Sequence, residues 1–205
     1  MLPEDFERLG RHMAAGAGFV ENLNLRAEAG YFDVASETKP LMHLWSLAIE
    51  EQFYLFYPLA VWAIWRVGAH PMALVGLALI ASFAWNLLRI RTDPVGTFFA
   101  VETRLWELLI GGLAAAVVLE ARRPGAVRAR PIERLLALGV RYADALSLAG
   151  AAAILGAAAG FDRSTTFPGA AAALPVLGAV ALLAAGPGAL VNRSLLAARP
   201  MVFVG

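Results

Sequence analysis

The sequence predicts an all-α, polytopic transmembrane helical bundle, and three observations carry that expectation. Sixty per cent of the 205 residues are apolar and only 16% are charged, with a mean hydropathy of +0.65. A soluble domain carries about 25% charged residues, and a globule of this size has too little interior to hide the apolar excess. The apolar residues also gather into six stretches parted by short polar connections, and the basic residues crowd into alternate connections.

Crossing about 30 Å of hydrocarbon takes about 20 mostly apolar helical residues. The first stretch, 12–25, is short and carries Glu21, Asn22 and Asn24. The second, 41–65, is long and aromatic, with Glu50 and Glu51 inside it. The third, 71–88, opens on Pro71, which a helix tolerates in its first turn. The fourth, 103–120, begins with a charged segment. The fifth, 142–160, and the sixth, 169–186, are rich in Ala and Gly, which allow close helix–helix approach. A soluble Ala-rich hairpin is the other reading of these last two. A seventh apolar run begins at 199–205, so both ends read as truncated.

With six spans the connections alternate sides. One side collects eleven basic residues, six of them arginines in the 121–141 loop (Arg122, Arg123, Arg128, Arg130, Arg134 and Arg141); the other collects five. The positive-inside rule places the 121–141 loop and the N-terminus in the cytoplasm. The N-terminal Met1–Arg8 segment is acidic and lacks the basic-then-apolar order of a signal peptide. A net charge of +1 provides no field for nucleic acid. The lack of cysteine excludes disulfides, thiolate metal sites and a thiol nucleophile. No metal-ligand cluster or phosphate-binding glycine loop is present, so no metal is expected.

The second stretch carries the chemistry. Ionisable groups inside a span cost about 2.5–3.5 kcal/mol each on insertion scales, so they tend to face the bundle interior and to be functional. At about 100° per residue, and with His43 at zero, Glu50 falls near −20°, Ser46 near −60°, Tyr54 near +20° and Tyr57 near −40°. These groups share one sector about 80° wide, whereas Glu51 and Gln52 point away. His43 and Glu50 lie about 10 Å apart and need a substrate or a facing helix between them. The stripe reads either as the proton-handling wall of an intramembrane chamber or as an interhelical hydrogen-bond network. Ser46 lacks the strand–turn–helix elbow of a serine nucleophile.

A second polar site opens the fourth stretch, where Arg104 and Glu107 stand three apart and can pair. It reads as an interfacial anchor, with Trp106 in an aromatic belt, or as a guanidinium that holds an anionic group. Asn86 reads as an interhelical hydrogen-bonding group, and His12 and His70 as interfacial.

The segment His43-Leu44-Trp45-Ser46-Leu47-Ala48-Ile49-Glu50-Glu51-Gln52-Phe53-Tyr54 resembles the hallmark of the acyltransferase-3 family, bacterial membrane O-acetylases of lipopolysaccharide and peptidoglycan. Gly30–Asp33, Thr103–Gly111, Thr166–Gly169 with Leu174–Gly178, and Arg199–Gly205 are similar to further family stretches in the same order. The resemblance implies a ten-helix enzyme of the bacterial inner membrane, of which residues 1–205 form a partial integral-membrane acyltransferase domain. It implies acetyl-CoA (or another acyl-CoA) as donor, and a glycan or lipid-linked sugar hydroxyl as acceptor across the lipid bilayer. It also implies His43 and Glu50 as catalytic residues, with Trp45, Ser46, Gln52, Tyr54, Arg104 and Glu107 lining the substrate site. The family's arginine–histidine pair, spaced eleven apart in its first helix, has no counterpart among His12, His43 and His70, so the isolated chain is expected to be inactive. A non-enzymatic transporter or flippase, with the stripe as a substrate path, is the rival class.

Overall fold

The computed structural model describes residues 3–28, 41–122, 139–162 and 164–204. Every regular element among them is helical. In order these are α1 (Pro3–Ala17), α2 (Glu21–Glu28), α3 (Leu44–Arg66), α4 (Pro71–Arg89), α5 (Pro94–Phe99), α6 (Val101–Arg122), α7 (Ala143–Gly160), α8 (Ala173–Ala185), a π-helical turn (Asn192–Leu196) and α9 (Arg199–Val204). The chain divides into two compact units, Met1–Leu108 and Leu109–Gly205. Most of the 121–141 loop and the Gly30–Asp33 stretch fall outside the described residues.

In the first unit, the expected span over 12–25 is not one helix. α1 ends at Ala17, Gly18 and Val20 donate back to the carbonyls of Ala14 and Ala15 at 3.0 and 2.8 Å, and α2 starts at Glu21. Phe19 at the corner takes a left-handed φ of 54°. Two glycines explain the break, because each costs about 1 kcal/mol against alanine in a helix interior. Gly16 has a second use: a Cβ there would come 2.7 Å from Leu44 Cδ1, so the missing side chain seats the start of α3. The polar residues of α2 then fold back onto α1 rather than extending a span.

α3 and α4 are joined through Gly68, whose φ of 72° closes the end of α3, and Pro71 opens α4 as expected. α4 buries Val75, Ser82 and Asn86 and exposes Leu77, Ile80 and Leu88. This places polar groups inward and large apolar groups outward, the inverse of a water-soluble amphipathic helix. α5 is a short helix capped by Asp93, whose Oδ1 accepts from Gly96 N at 2.8 Å. Ser82 Oγ donates to Glu102 O at 2.8 Å and accepts from Trp106 N at 3.0 Å, which pins α6 to α4.

In the second unit, α7 and α8 pack through glycine. A Cβ on Gly150 would lie 2.6 Å from Gly178 O, and one on Gly178 would lie 2.8 Å from Gly150 O, so each backbone occupies the side-chain space of the other. Asp144 and Ser147 accept from the amides of Leu190 and Val191 at 2.7 and 3.4 Å. Asn192 Nδ2 caps the end of α8 by donating to Leu182 O and Gly186 O at 2.8 and 2.9 Å.

By length and apolarity, two helices among the described residues suffice to cross a membrane, α4 and α7. α8 is apolar but has 13 residues. α3 and α6, with 23 and 22 residues, have the length but carry Glu50, Glu51, Glu102, Arg104 and Glu107. The fold is all-helical as expected, and the six-span count exceeds what length and composition alone return.

Candidate functional site

α3 has two opposed faces. His43 caps it in helical conformation, so the register of the stripe runs unbroken from His43 onward. His43, Ser46, Glu50 and Tyr54, expected to face the bundle interior, are instead all exposed among the described residues, because α2, α5 and the start of α6 pack on the other side of α3. Tyr57 stacks on Phe53 at 4.7 Å. Ser46 Oγ donates to His43 O at 3.4 Å. The packed side carries Trp45, Ala48, Ile49 and Gln52, of which Ala48 and Ile49 are buried. These four residues centre about 180° from His43 on the helical wheel. The structure therefore brings the expected site residues into two groups, one on each side of the same helix.

The packed group meets α5 and α6. The Trp45 ring lies 4.7 Å from Phe98 and 5.7 Å from Phe99. The Arg104 guanidinium sits 5.0 Å from the Trp45 ring and 5.5 Å from Phe98. Arg104 Nη2 donates to Glu107 Oε2 at 2.7 Å, so the spacing of three does form the pair. Both members are largely buried. The anchor reading fails at Trp106, which is 3% exposed and packs edge-on to Phe83 at 4.7 Å instead of lying in an aromatic belt. A guanidinium stacked on aromatic rings and paired with a carboxylate is held in a fixed plane, the geometry in which arginine recognises planar anions.

Gln52 turns toward α2. Its Nε2 donates to Phe19 O at 2.7 Å and to Asn22 Oδ1 at 2.9 Å. Asn22 Nδ2 in turn donates to Phe99 O at 3.3 Å. Nearby, Glu102 Oε1 accepts from Arg26 and Arg89, each at 3.0 Å, and Arg89 also bonds Asp93 at 2.8 Å. The Arg89 hydrogen bond, followed by that from Gly96 N, holds the Asp93 carboxyl below the usual carboxylate range.

Sequence reasoning missed one cluster. His12, expected at an interface, is 1% exposed, and its Nδ1 faces Glu21 Oε1 at 2.5 Å. Glu28 Oε2 lies 3.4 Å from Nε2. The hydrogen bond between the imidazole and the Glu21 carboxyl gives each of these buried polar groups a partner, without which burial would be costly. The available signal was the run of Glu21, Asn22 and Asn24 inside an apolar stretch, which marks a polar knot as readily as a weak span.

A family model described as an acyltransferase domain matches residues 15–205, nearly the whole chain, including both faces of α3 and the Arg104–Glu107 pair. The chain belongs to the acyltransferase domain family. Peptidoglycan O-acetyltransferase OatA of Listeria monocytogenes is similar, at 37% identity over 92 residues, which is 42% of this chain and 15% of that protein. O-acetyltransferase OatA of Staphylococcus aureus is 31% identical over 120 residues, 56% of this chain and 20% of its own length. An uncharacterized protein from Haemophilus influenzae is 29% identical over 119 residues, 54% of this chain and 49% of the relative. The chain thus spans less than half the length of each of these relatives. No solved structure matches it.

Proposed function

We propose that this chain is part of a multi-pass enzyme of the bacterial inner membrane that transfers an acetyl group from acetyl-CoA to a hydroxyl of a cell-envelope glycan. The observation that carries the reading is the family match over residues 15–205, and relatives named as O-acetyltransferases narrow the acyl group and the class of acceptor. The inverted polarity of α4 supports the bilayer as surroundings, and the segregation of arginines supports a cytoplasmic 121–141 loop.

In this reading the His43–Glu50 face of α3 meets the reacting groups. His43 or Glu50 takes the proton of the acceptor hydroxyl as its oxygen attacks the thioester carbonyl carbon. The C–S bond then breaks, and the departing thiolate receives the proton. Ser46 and Tyr54, one turn either side of Glu50, hydrogen-bond to the acceptor or to the developing oxyanion. On the opposite face Arg104, backed by Trp45 and oriented by Glu107, holds an anionic group of the donor. Gln52 holds the wall on which these residues stand.

The test is acyl transfer from radiolabelled acetyl-CoA to peptidoglycan strands in membrane vesicles bearing the full-length protein. His43→Ala and Glu50→Ala are each expected to lower kcat at least 100-fold, the scale of a lost general base. Movement of glycan across the vesicle membrane without acylation would instead establish the transporter reading.

A further inference from the structure

We infer that Asn22 is a positioning residue that sets the rotation of α3, and that Gln52 acts through Asn22 rather than by touching substrate. The inference rests on the acyltransferase reading above and gives one of its residues a different task. A primary amide has two N–H donors. In Gln52 both are consumed internally, one by Phe19 O at 2.7 Å and the other by Asn22 Oδ1 at 2.9 Å. No N–H donor of Gln52 remains for an acceptor sugar or an acyl donor, and the side chain lies on the α2 side of α3, about 180° from His43.

Asn22 is built for the task. It is 0% exposed, its Oδ1 accepts from α3, and its Nδ2 donates to the last carbonyl of α5, Phe99 O, at 3.3 Å. One buried amide thus ties three helices at a point. Its own helix is held on either side, by Glu21 bound to His12 and by the buried Leu25. Gln52 lies on the packed side of α3 and Glu50 two residues away on the exposed side. A rotation of α3 that broke the Gln52–Asn22 bond would carry Trp45 off Arg104 and swing the His43–Glu50 face by the same angle. Phe19 reaches Gln52 because its left-handed φ turns the chain at the α1–α2 corner.

The experiment uses the full-length protein in vesicles, with acetyl-CoA and peptidoglycan strands as probes. Asn22→Ala and Gln52→Ala are expected to lower kcat by similar factors, at least tenfold, with KM for acetyl-CoA and for the strands within twofold of the parent. The double variant is expected to be no worse than either single variant. Asn22→Gln, which keeps both an acceptor for Gln52 and a donor for Phe99 O, is expected to recover part of the rate, whereas Asn22→Asp, which sets a carboxylate against Phe99 O, is expected to recover none. A second readout does not depend on activity. These 205 residues hold no cysteine, so in full-length protein with any cysteine elsewhere replaced by serine, Gly16→Cys with Leu44→Cys, where a Cβ on residue 16 would meet the residue 44 side chain, reports the seating of α3 by disulfide formation. Asn22→Ala is expected to slow that cross-link at least tenfold. A raised KM in Gln52→Ala with a harmless Asn22→Ala, multiplicative losses in the double variant, or an unaltered cross-linking rate overturns the inference. Absence of transfer by the parent protein defeats the acyltransferase reading alone and leaves the cross-linking test standing.

Discussion

At Arg104 one guanidinium serves three neighbours, the rings of Trp45 and Phe98 and the carboxylate of Glu107. Breaking a buried pair by removing one partner strands the other charge, at a general cost of about 3–5 kcal/mol. Glu107→Ala is therefore expected to lower unfolding stability by about 3 kcal/mol, read by denaturant titration in micelles. Arg104→Lys keeps the charge and loses the planar stacking, so it is expected to raise KM for acetyl-CoA at least fivefold. The Arg104–Glu107 pairing was legible in the sequence because a helix brings residues three apart together. The Trp45–Arg104 contact was not, since 59 positions separate the two and only the fold of α5 between them makes the meeting. His12 and Glu21 were hidden for a similar reason: they meet only once Phe19 reverses the chain.

Whole elements respond to single backbone positions. At the α7–α8 crossing two carbonyl oxygens fill the places of two absent methyl groups. Gly150→Leu is expected to drive the helices apart and abolish folding of this pair, seen as loss of protease resistance. Gly156, which has open space around it, is expected to accept alanine without loss. At α5 the capping carboxylate of Asp93 gives a pH signature. Its folded value is lowered, so its contribution is fully present above its ordinary value near 3.8 and fades as pH falls toward the folded value. Asp93→Asn is expected to flatten that acid-side slope in a melting-temperature series below pH 4, with a loss at neutral pH of about 1 kcal/mol or less, the scale of an N-cap. The rotational phase of α3 could be computed from the sequence alone, at a fixed angle per residue. Which of its faces would be packed could not, because that depends on partners such as Asn22 and Phe98. The break between α1 and α2 was likewise obscured, because composition alone made 12–25 look like a poor span rather than two helices and a corner.

For the molecule as a whole, the informative pattern is the inversion on α4 and α7. Ser82, Asn86 and Ser147 are buried, whereas Leu77, Ile80, Leu88 and Leu155 are exposed. Photoactivatable lipid is expected to label Leu77, Ile80, Leu88 and Leu155 and to spare Ser82, Asn86 and Ser147. Labelling spread evenly over both sets would remove the support for a bilayer environment. The all-helical fold was legible from composition, but the number of crossings was not, because α3 and α6 have the length of spans yet carry Glu50, Glu51, Glu102, Arg104 and Glu107, of which only Arg104 and Glu107 are neutralised by each other out of water's reach. One feature of α3 reaches further. The side proposed to react and the side that moors it occupy opposite halves of a single cylinder, so the exposed half can be edited without disturbing the mooring, although the reverse does not hold. Replacing Ser46 or Tyr54 to retune acceptor preference should leave the melting temperature where it was. A single residue inserted between Ile49 and Glu50 should misalign both halves at once, by about 100°, and no later substitution on either side could restore their relation.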